Sequence, residues 1–261
     1  ETNKFNNLIS DRASQTKKIN LQLKTIKFKI NPKELSLFLE TKNPQITYQN
    51  LSIPVSNLKV YIDFLSLFKS NLKIKKINIF LEELDIVQLN ELSTIIKPSN
   101  LKSIINNKIK NGKLISEIEI FLDEQGVLKN FIAKGKINNL NVELLSDLNF
   151  TKVNLDFFAD KNDVLIKNIF GDLGDINISN GDVKLNLDDG IKLNSNFNSK
   201  FNLDDKLLDN YSKFLNKFEF INNIKNVEAN FNNSLFIDLD STYKVKNYSY
   251  SILGKLEKGI Y

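Results

Sequence analysis

Alternating apolar and polar residues in the middle of the chain predict a pair of long β-strands. From Val183 to Leu203 most odd-numbered positions are apolar, and almost all even-numbered positions are Lys, Asn or Asp. A period of two places these two sets of side chains on opposite faces of a sheet. Asp188-Asp189-Gly190 interrupts the alternation and is typical of a turn, so the segment predicts a hairpin.

Similar alternation recurs along most of the chain at a spacing of about 8–14 residues, which is typical of an antiparallel meander. One-residue slips at Lys24-Thr25 and Lys75-Lys76 predict β-bulges, because an uncorrected slip would exchange the two faces. Pro54 predicts a strand break, and Asn180-Gly181 predicts a turn. The predicted strands are 19–30, 35–40, 46–53, 57–62, 72–81, 113–122, 127–137, 139–145, 149–158, 163–170, 174–180, 182–188, 190–203, 224–239 and 242–257.

Four segments have helical rather than strand periodicity. Short helices are predicted over 63–70, 87–96 and 99–106, and a longer one over 204–220. The apolar stripe of the longest helix predicts that it covers the sheet. A lid over an apolar groove and a membrane-surface helix are the alternatives, although its polar face mixes Asp and Lys.

These elements predict a mainly β fold: a long antiparallel sheet, curved and twisted, that forms a hydrophobic groove and carries a few short helices. The helices near residue 100 mark the one plausible boundary. We therefore expect a β module with short helices over 1–108, and a repetitive antiparallel β-groove with one amphipathic helix over 109–261.

The composition excludes several classes of chemistry. The chain has no Cys and no His, so disulfides, metal sites built on nitrogen or sulfur ligands, and Ser-His-Asp or Cys-His catalysis are all excluded within it. No cofactor is expected. No stretch approaches the about 18–20 apolar residues of a membrane span. The chain begins with Glu1 and contains no Met, which leads us to expect a fragment of a longer protein.

The basic charge does not indicate a nucleic-acid partner. The net charge is +5, but Arg12 is the only arginine among 36 basic residues, and nucleic-acid recognition favours Arg. The lysines mostly alternate with acids along polar strand faces, as on a solvated surface. Weak attraction to anionic lipid headgroups is the more plausible consequence of this charge.

The pairs of acidic residues occur at predicted turns and helix starts. Pairs such as Asp123-Glu124 and Asp188-Asp189 lie at predicted turns, where acids are common. The stretch from Gly171 to Asp175 lacks the ligand spacing and the closing Glu of a calcium loop. We therefore assign no catalytic residue and no metal ligand.

Two segments resemble the AsmA-like family, in the group that includes YhdP and TamB. In Leu51–Leu89 a strand runs into the Asp-containing stretch that begins at Asp63, and a strand with apolar positions follows. The stretch from Gly135 to Phe201 resembles the repetitive groove of the same proteins. The apolar positions of the strand in the first segment are Leu72, Ile74, Ile77 and Ile79, with the further pair Leu84 and Ile86.

This resemblance implies a periplasmic protein of a Gram-negative bacterium, anchored in the inner membrane by a helix upstream of residue 1. It also implies non-enzymatic transport of phospholipid between membranes through a hydrophobic β-groove, in support of outer-membrane assembly and integrity. The implied partners are phospholipid acyl chains, the inner membrane and other envelope proteins.

Elementary energetics favour the same interpretation. Exposing an acyl chain to water costs about 0.8 kcal/mol per CH₂, and an unbroken apolar face removes that cost without any specific chemistry. The residues predicted to line the groove are Val183, Leu185, Leu187, Ile191, Leu193, Phe197, Phe201, Phe231, Leu235 and Ile237.

Two other classes of function remain open. A structural or interaction module of a cell-envelope protein would be a β-sandwich whose apolar faces bury each other. An enzyme that acts through carboxylates needs two acids facing one cleft, and the only acid in an apolar series is Asp189, which lies in a predicted turn.

Overall fold

The fold is almost entirely antiparallel β-sheet, as the alternation predicts. Nearly all described residues lie in strands. The helices predicted over 63–70, 87–106 and 204–220 lie, apart from residues 63 and 88, outside the described part of the chain. The computed structural model describes residues 19–22, 25–31, 36–48, 51–63, 73–85, 88, 108–145, 148–188, 190–203, 225–242 and 244–260.

Fifteen strands follow one another along the chain. They are β1 (Ile19–Gln22), β2 (Lys27–Asn31), β3 (Ser36–Lys42), β4 (Gln45–Tyr48), β5 (Leu51–Ile62), β6 (Ile74–Leu81), β7 (Leu84–Asp85), β8 (Ile109–Leu122), β9 (Leu128–Leu145), β10 (Leu148–Ala159), β11 (Asp163–Leu173), β12 (Ile176–Asn186), β13 (Ile191–Leu203), β14 (Lys225–Leu239) and β15 (Val245–Ile260).

The strands pair in the order β1-β4-β5-β6-β8-β9-β10-β11-β12-β13-β14-β15, with β3 beside β2 and β5, and β7 beside β8. From β8 onward each strand pairs with the next one in the chain, which is the predicted meander. Among the described strands β1 and β15 are the two ends of this path, so the sheet is not closed.

Backbone contacts divide the chain into two units. Strands β1 to β7 belong wholly to the first unit and β11 to β15 wholly to the second. The first unit comprises residues 1–107, 113–136 and 158–161, and the second comprises residues 108–112, 137–157 and 162–261.

The first unit buries its apolar face in a core of its own. Leu39 of β3 pairs directly with Val60 of β5, which pairs with Ile77 of β6, so their side chains lie on one face. Ile46 and Ile53 of the β4–β5 hairpin pack against the same cluster. The fully buried members, each at most 7% exposed, are Ile26, Leu39, Val55, Leu58, Val60 and Ile62.

Two predicted strand boundaries in this unit are wrong. The strand predicted over 19–30 is two strands with different partners, since β1 pairs with β4 whereas β2 pairs with β3. The predicted break at Pro54 is absent, because β5 runs through it and pairs first with β4 and then with β3. Pro54 is tolerated beside a register shift between Val55 and Asn57, where the ladder is already irregular. The slip predicted at Lys75-Lys76 is confirmed as a register shift of β6 against Tyr61 and Ile62.

Residues with left-handed backbone interrupt four consecutive strands. They are Asn139 in β9, Lys152 in β10, Asn168 in β11 and Asn180 in β12, with φ between 50° and 54°. The turn predicted at Asn180-Gly181 is therefore wrong: β12 continues through it, and the β12–β13 register shifts between Ser179 and Asp182. The break predicted between 137 and 139 is likewise absent, because β9 runs through Asn139. A bulge bends its strand and increases the twist, so this series curves the sheet of the second unit.

Asparagine side chains support the first two of these interruptions reciprocally. Asn154 Oδ1 accepts a hydrogen bond of 3.2 Å from the Asn139 backbone N–H, and Asn141 Oδ1 accepts one of 3.0 Å from the Lys152 N–H. Short amides satisfy backbone groups that the shifted ladder leaves without a strand partner. Some of the many asparagines of the chain thus stabilise these interruptions of the strands.

Candidate functional site: the apolar face of strands β11 to β15

The register of the second unit brings the predicted lining residues onto one face. Leu193 of β13 lies directly between Leu185 of β12 and Ile237 of β14. Residues opposite each other in antiparallel strands project to the same side, so one pairing fixes the face of each strand. All predicted lining residues except Leu187 share this face: Val183, Leu185, Ile191, Leu193, Phe197, Phe201, Phe231, Leu235 and Ile237. Leu187 lies just beyond the end of β12, where its backbone N–H donates to the Asn162 carbonyl.

The same face extends over two further strands that the sequence did not single out. On β11 it continues through Val164 and Ile166, which pair with Leu185 and Val183. On β15 its residues are Tyr248, Tyr250, Ile252, Gly254 and Leu256, as their partners on β14 show. Alternation marks these strands as amphipathic, but only the register shows that their apolar sides join. We call this surface, formed by β11 to β15, the apolar face.

The apolar face is half exposed, in contrast to the core of the first unit. The lining residues on β12, β13 and β14 that share it are all partly exposed. Exposure rises on β15, where Tyr248 is 71% exposed and Leu256 61%. Within the described residues of this unit, the strands in extensive contact with each other are neighbours in the sheet. The face therefore presents a broad apolar surface.

The described residues of the apolar face carry no charge on strands β11 to β14. Lysines and acids alternate onto the opposite side, where Lys192 pairs with Asp238 and Lys184 lies beside Asn194. An open depression of about 510 Å³ lies on that opposite side and is lined by polar residues that include Asn177, Lys200 and Lys255. The two sides of the sheet thus differ sharply in chemistry.

Asn233 forms a polar cluster inside the otherwise apolar face. It is 4% exposed, and its Nδ2 donates to Ser199 Oγ at 2.9 Å and to the Phe197 carbonyl at 3.2 Å. The Tyr250 hydroxyl donates to Asn233 Oδ1 at 2.8 Å. Partial burial raises the pKa of the Tyr250 hydroxyl above its usual value. Sequence reasoning missed the cluster, and the one signal for it is that Asn233 interrupts the apolar series of β14.

Other kinds of site have little support in the described residues. No group of three or more carboxylate, His or Cys side chains is arranged to hold a metal ion there. Asp189, the one acid in an apolar series, lies outside them. No helix within the described ranges is long and apolar enough to cross a membrane.

Comparison with known proteins identifies no relative. No family model matches the chain, and neither a curated protein nor a solved structure matches it. The geometry of the apolar face is therefore the basis for any functional inference.

Proposed function

We propose that the apolar face binds lipid acyl chains, and that the protein carries phospholipid between membranes of the bacterial envelope without catalysing a reaction. In this proposal it is an AsmA-like protein of the periplasm, anchored in the inner membrane by a segment upstream of residue 1. One observation supports the proposal above all: a half-exposed apolar surface that continues across five adjacent strands and whose described residues on β11 to β14 carry no charge.

The size of the hydrophobic effect makes acyl chains suitable occupants. Each CH₂ that leaves water gains about 0.8 kcal/mol, so a chain lying along the face gains from every carbon it buries. Phe197 and Phe201 on β13 and Phe231 on β14 offer wide, uncharged contact area. Residues of this kind hold chains of many lengths, because the contact is non-directional.

Curvature of the sheet supports the same use. A flat apolar sheet contacts one side of an acyl chain, whereas a sheet bent toward its apolar face would contact more of the circumference. The interruptions at Asn168 and Asn180 bend β11 and β12, two of the strands that form the face.

Purification from a membrane-containing lysate tests the proposal. Lipid extracted from the wild-type protein and measured by mass spectrometry should contain phospholipid in stoichiometric amounts. Leu193→Asp and Phe197→Asp place a charge on the apolar face and should abolish this lipid, because burying a carboxylate against an acyl chain is costly.

The control for these variants is Asn194→Asp, which adds the same charge one residue away on the opposite face. Circular dichroism should show that all three variants keep the β-sheet. Lipid-free wild-type protein, or equal lipid loss in Asn194→Asp, would argue against the proposal.

A second candidate is a structural or interaction module, and strand β15 favours it. This strand ends the sheet, and Leu253 and Leu256 on its two faces are 71% and 61% exposed. A long end strand with exposed apolar side chains is suited to pairing with another strand. Lipid-free protein that self-associates through β15 would favour this candidate.

A further inference from the structure

The polar cluster around Asn233 has an unusual position. Asn233 and Ser199 are 4% and 5% exposed, and they lie on the same face as Phe197, Leu235 and Ile237. Burying polar groups beneath an apolar surface costs free energy unless each group is hydrogen-bonded. Within the cluster Asn233 is hydrogen-bonded to Ser199 and to the Tyr250 hydroxyl. Tyr250 is the accessible member of the cluster because it is 53% exposed.

The Tyr250 hydroxyl has hydrogen-bonding capacity left. Its proton is used in the bond of 2.8 Å to Asn233 Oδ1. That bond fixes the orientation of the hydroxyl and leaves the oxygen lone pairs as acceptors. Among the described residues, none donates a hydrogen bond to this oxygen. The apolar face therefore contains one oriented, partly exposed hydrogen-bond acceptor.

The surroundings restrict what this acceptor can bind. The described residues of the apolar face on β11 to β14 carry no charge, so nothing there compensates a phosphate, a carboxylate or an ammonium. A neutral donor carries no such penalty. A hydroxyl attached close to acyl chains fits both the oxygen of Tyr250 and the apolar side chains around it.

We propose that the Asn233–Tyr250 pair is a specificity site that, among the lipids whose acyl chains the apolar face holds, favours those with a free neutral hydroxyl at the base of the chains, as in diacylglycerol. A phospholipid binds the face through its acyl chains and does not use this site. The inference rests on the proposed binding of acyl chains to the apolar face. Asn233 acts as a positioning residue, since it orients the Tyr250 hydroxyl and does not itself reach the lipid. Phe197 and Leu235, which pair with Asn233 and Tyr250, supply the apolar contacts beside the site.

Two ligands that differ in one group test the inference. The first is a 1,2-diacylglycerol, and the second is its 3-O-methyl ether, which has the same chains but no hydroxyl donor. Wild-type protein should bind the diacylglycerol about 3- to 10-fold more tightly, the range of one net hydrogen bond. Tyr250→Phe should bind the two ligands equally, because it lacks the acceptor.

Tyr248→Phe is the matched control. Tyr248 lies on the same strand and the same face, two residues away, and is 71% exposed. This variant should keep the wild-type preference. If Tyr250 had only a structural role, Tyr250→Phe would be less stable but would keep the ratio of the two affinities.

The outcomes separate the two proposals. Equal binding of both ligands by the wild type overturns the specificity site and leaves acyl-chain binding intact. An unchanged preference in Tyr250→Phe also overturns it. Binding of neither ligand overturns both proposals. Because the comparison of ligands is made on the wild-type protein as well, a poorly folded variant does not prevent a result.

Discussion

Gly254 of β15 lies directly opposite Phe231 of β14, and the Phe231 ring fills the space that a side chain at Gly254 would need. A Cβ placed on Gly254 would lie 2.3 Å from Phe231 Cδ1 and 2.3 Å from the Asn230 carbonyl oxygen. Phe231 also makes an edge contact with Phe201, with ring centroids 5.3 Å apart. The missing side chain thus allows two aromatic rings to lie side by side on the apolar face.

Gly254→Ala should therefore destabilise the protein. The added methyl group overlaps backbone as well as side chain, so β15 has to shift, and we expect a loss of about 1–3 kcal/mol in the free energy of unfolding. Urea unfolding followed by circular dichroism measures this loss. Ser251→Ala, on the opposite face of the same strand, is the control and should stay within about 0.5 kcal/mol of the wild type. A Gly254→Ala protein as stable as the wild type would contradict the close contact.

Lys152→Gly should stabilise the protein, although it shortens a side chain. Lys152 has φ of 52°, and a left-handed conformation costs a residue with a side chain about 1–2 kcal/mol. Its ion pair with Asp172, at 3.0 Å, is largely exposed on the lysine side and contributes little. We expect a gain of about 0.5–1 kcal/mol after the entropic cost of glycine is subtracted.

The control for this prediction is Lys184→Gly on strand β12 of the same unit. Lys184 is exposed and has no positive φ, so glycine there should cost about 0.5–1 kcal/mol. Opposite signs for the two lysines, measured by the same urea titration, are the expected outcome. Equal losses would show that the backbone at Lys152 is not strained.

Glu40 should make the stability of the first unit sensitive to acid. Hydrogen bonds from the Lys29 ammonium and the Asn57 amide hold the pKa of this carboxyl below its usual value of 4.5, and they outweigh the opposing effect of burial. A carboxyl whose pKa is lower in the folded state stabilises the fold above its unfolded pKa. That contribution is lost as the pH falls through the folded pKa.

Glu40→Gln should cost about 1–3 kcal/mol at pH 7, because it removes a charge-assisted contact on a nearly buried side chain. It should also flatten the decline in unfolding free energy between about pH 5 and pH 3. Glu124→Gln is the control, since its side chain is 84% exposed, and it should leave the pH profile unchanged. A steep decline that persists in Glu40→Gln would assign the acid sensitivity to other groups.

The strands were predictable where alternation and turn residues agree. The β12–β13 hairpin follows from alternation on both sides of Asp188-Asp189-Gly190, and the structure ends β12 at Asn186 and begins β13 at Ile191. Asn180-Gly181 was misassigned because Asn and Gly favour the same left-handed backbone in a turn and in a bulge. Only the partner strand, which continues past them, distinguishes the two.

The candidate site was only partly predictable for a related reason. Alternation predicts on which side of its own strand Leu193 or Phe231 lies. Only the register between strands shows whether these two sides belong to the same face of the sheet. The link between Asn233 and Tyr250 joins positions 17 residues apart on two strands, and no local pattern contains it. Asn233 resembles the many exposed asparagines of the chain until its neighbours are known.

Site-specific photo-crosslinking tests the central claim most directly, since it compares the two faces of one strand. A benzophenone amino acid is placed at Leu193 on the apolar face or at Asn194 on the polar face. Each protein is irradiated with vesicles of phosphatidylethanolamine and phosphatidylglycerol and examined by intact-mass spectrometry. We predict phospholipid adducts at position 193 and none above background at position 194. Adducts at neither position, or equal adducts at both, would contradict acyl-chain binding by the apolar face.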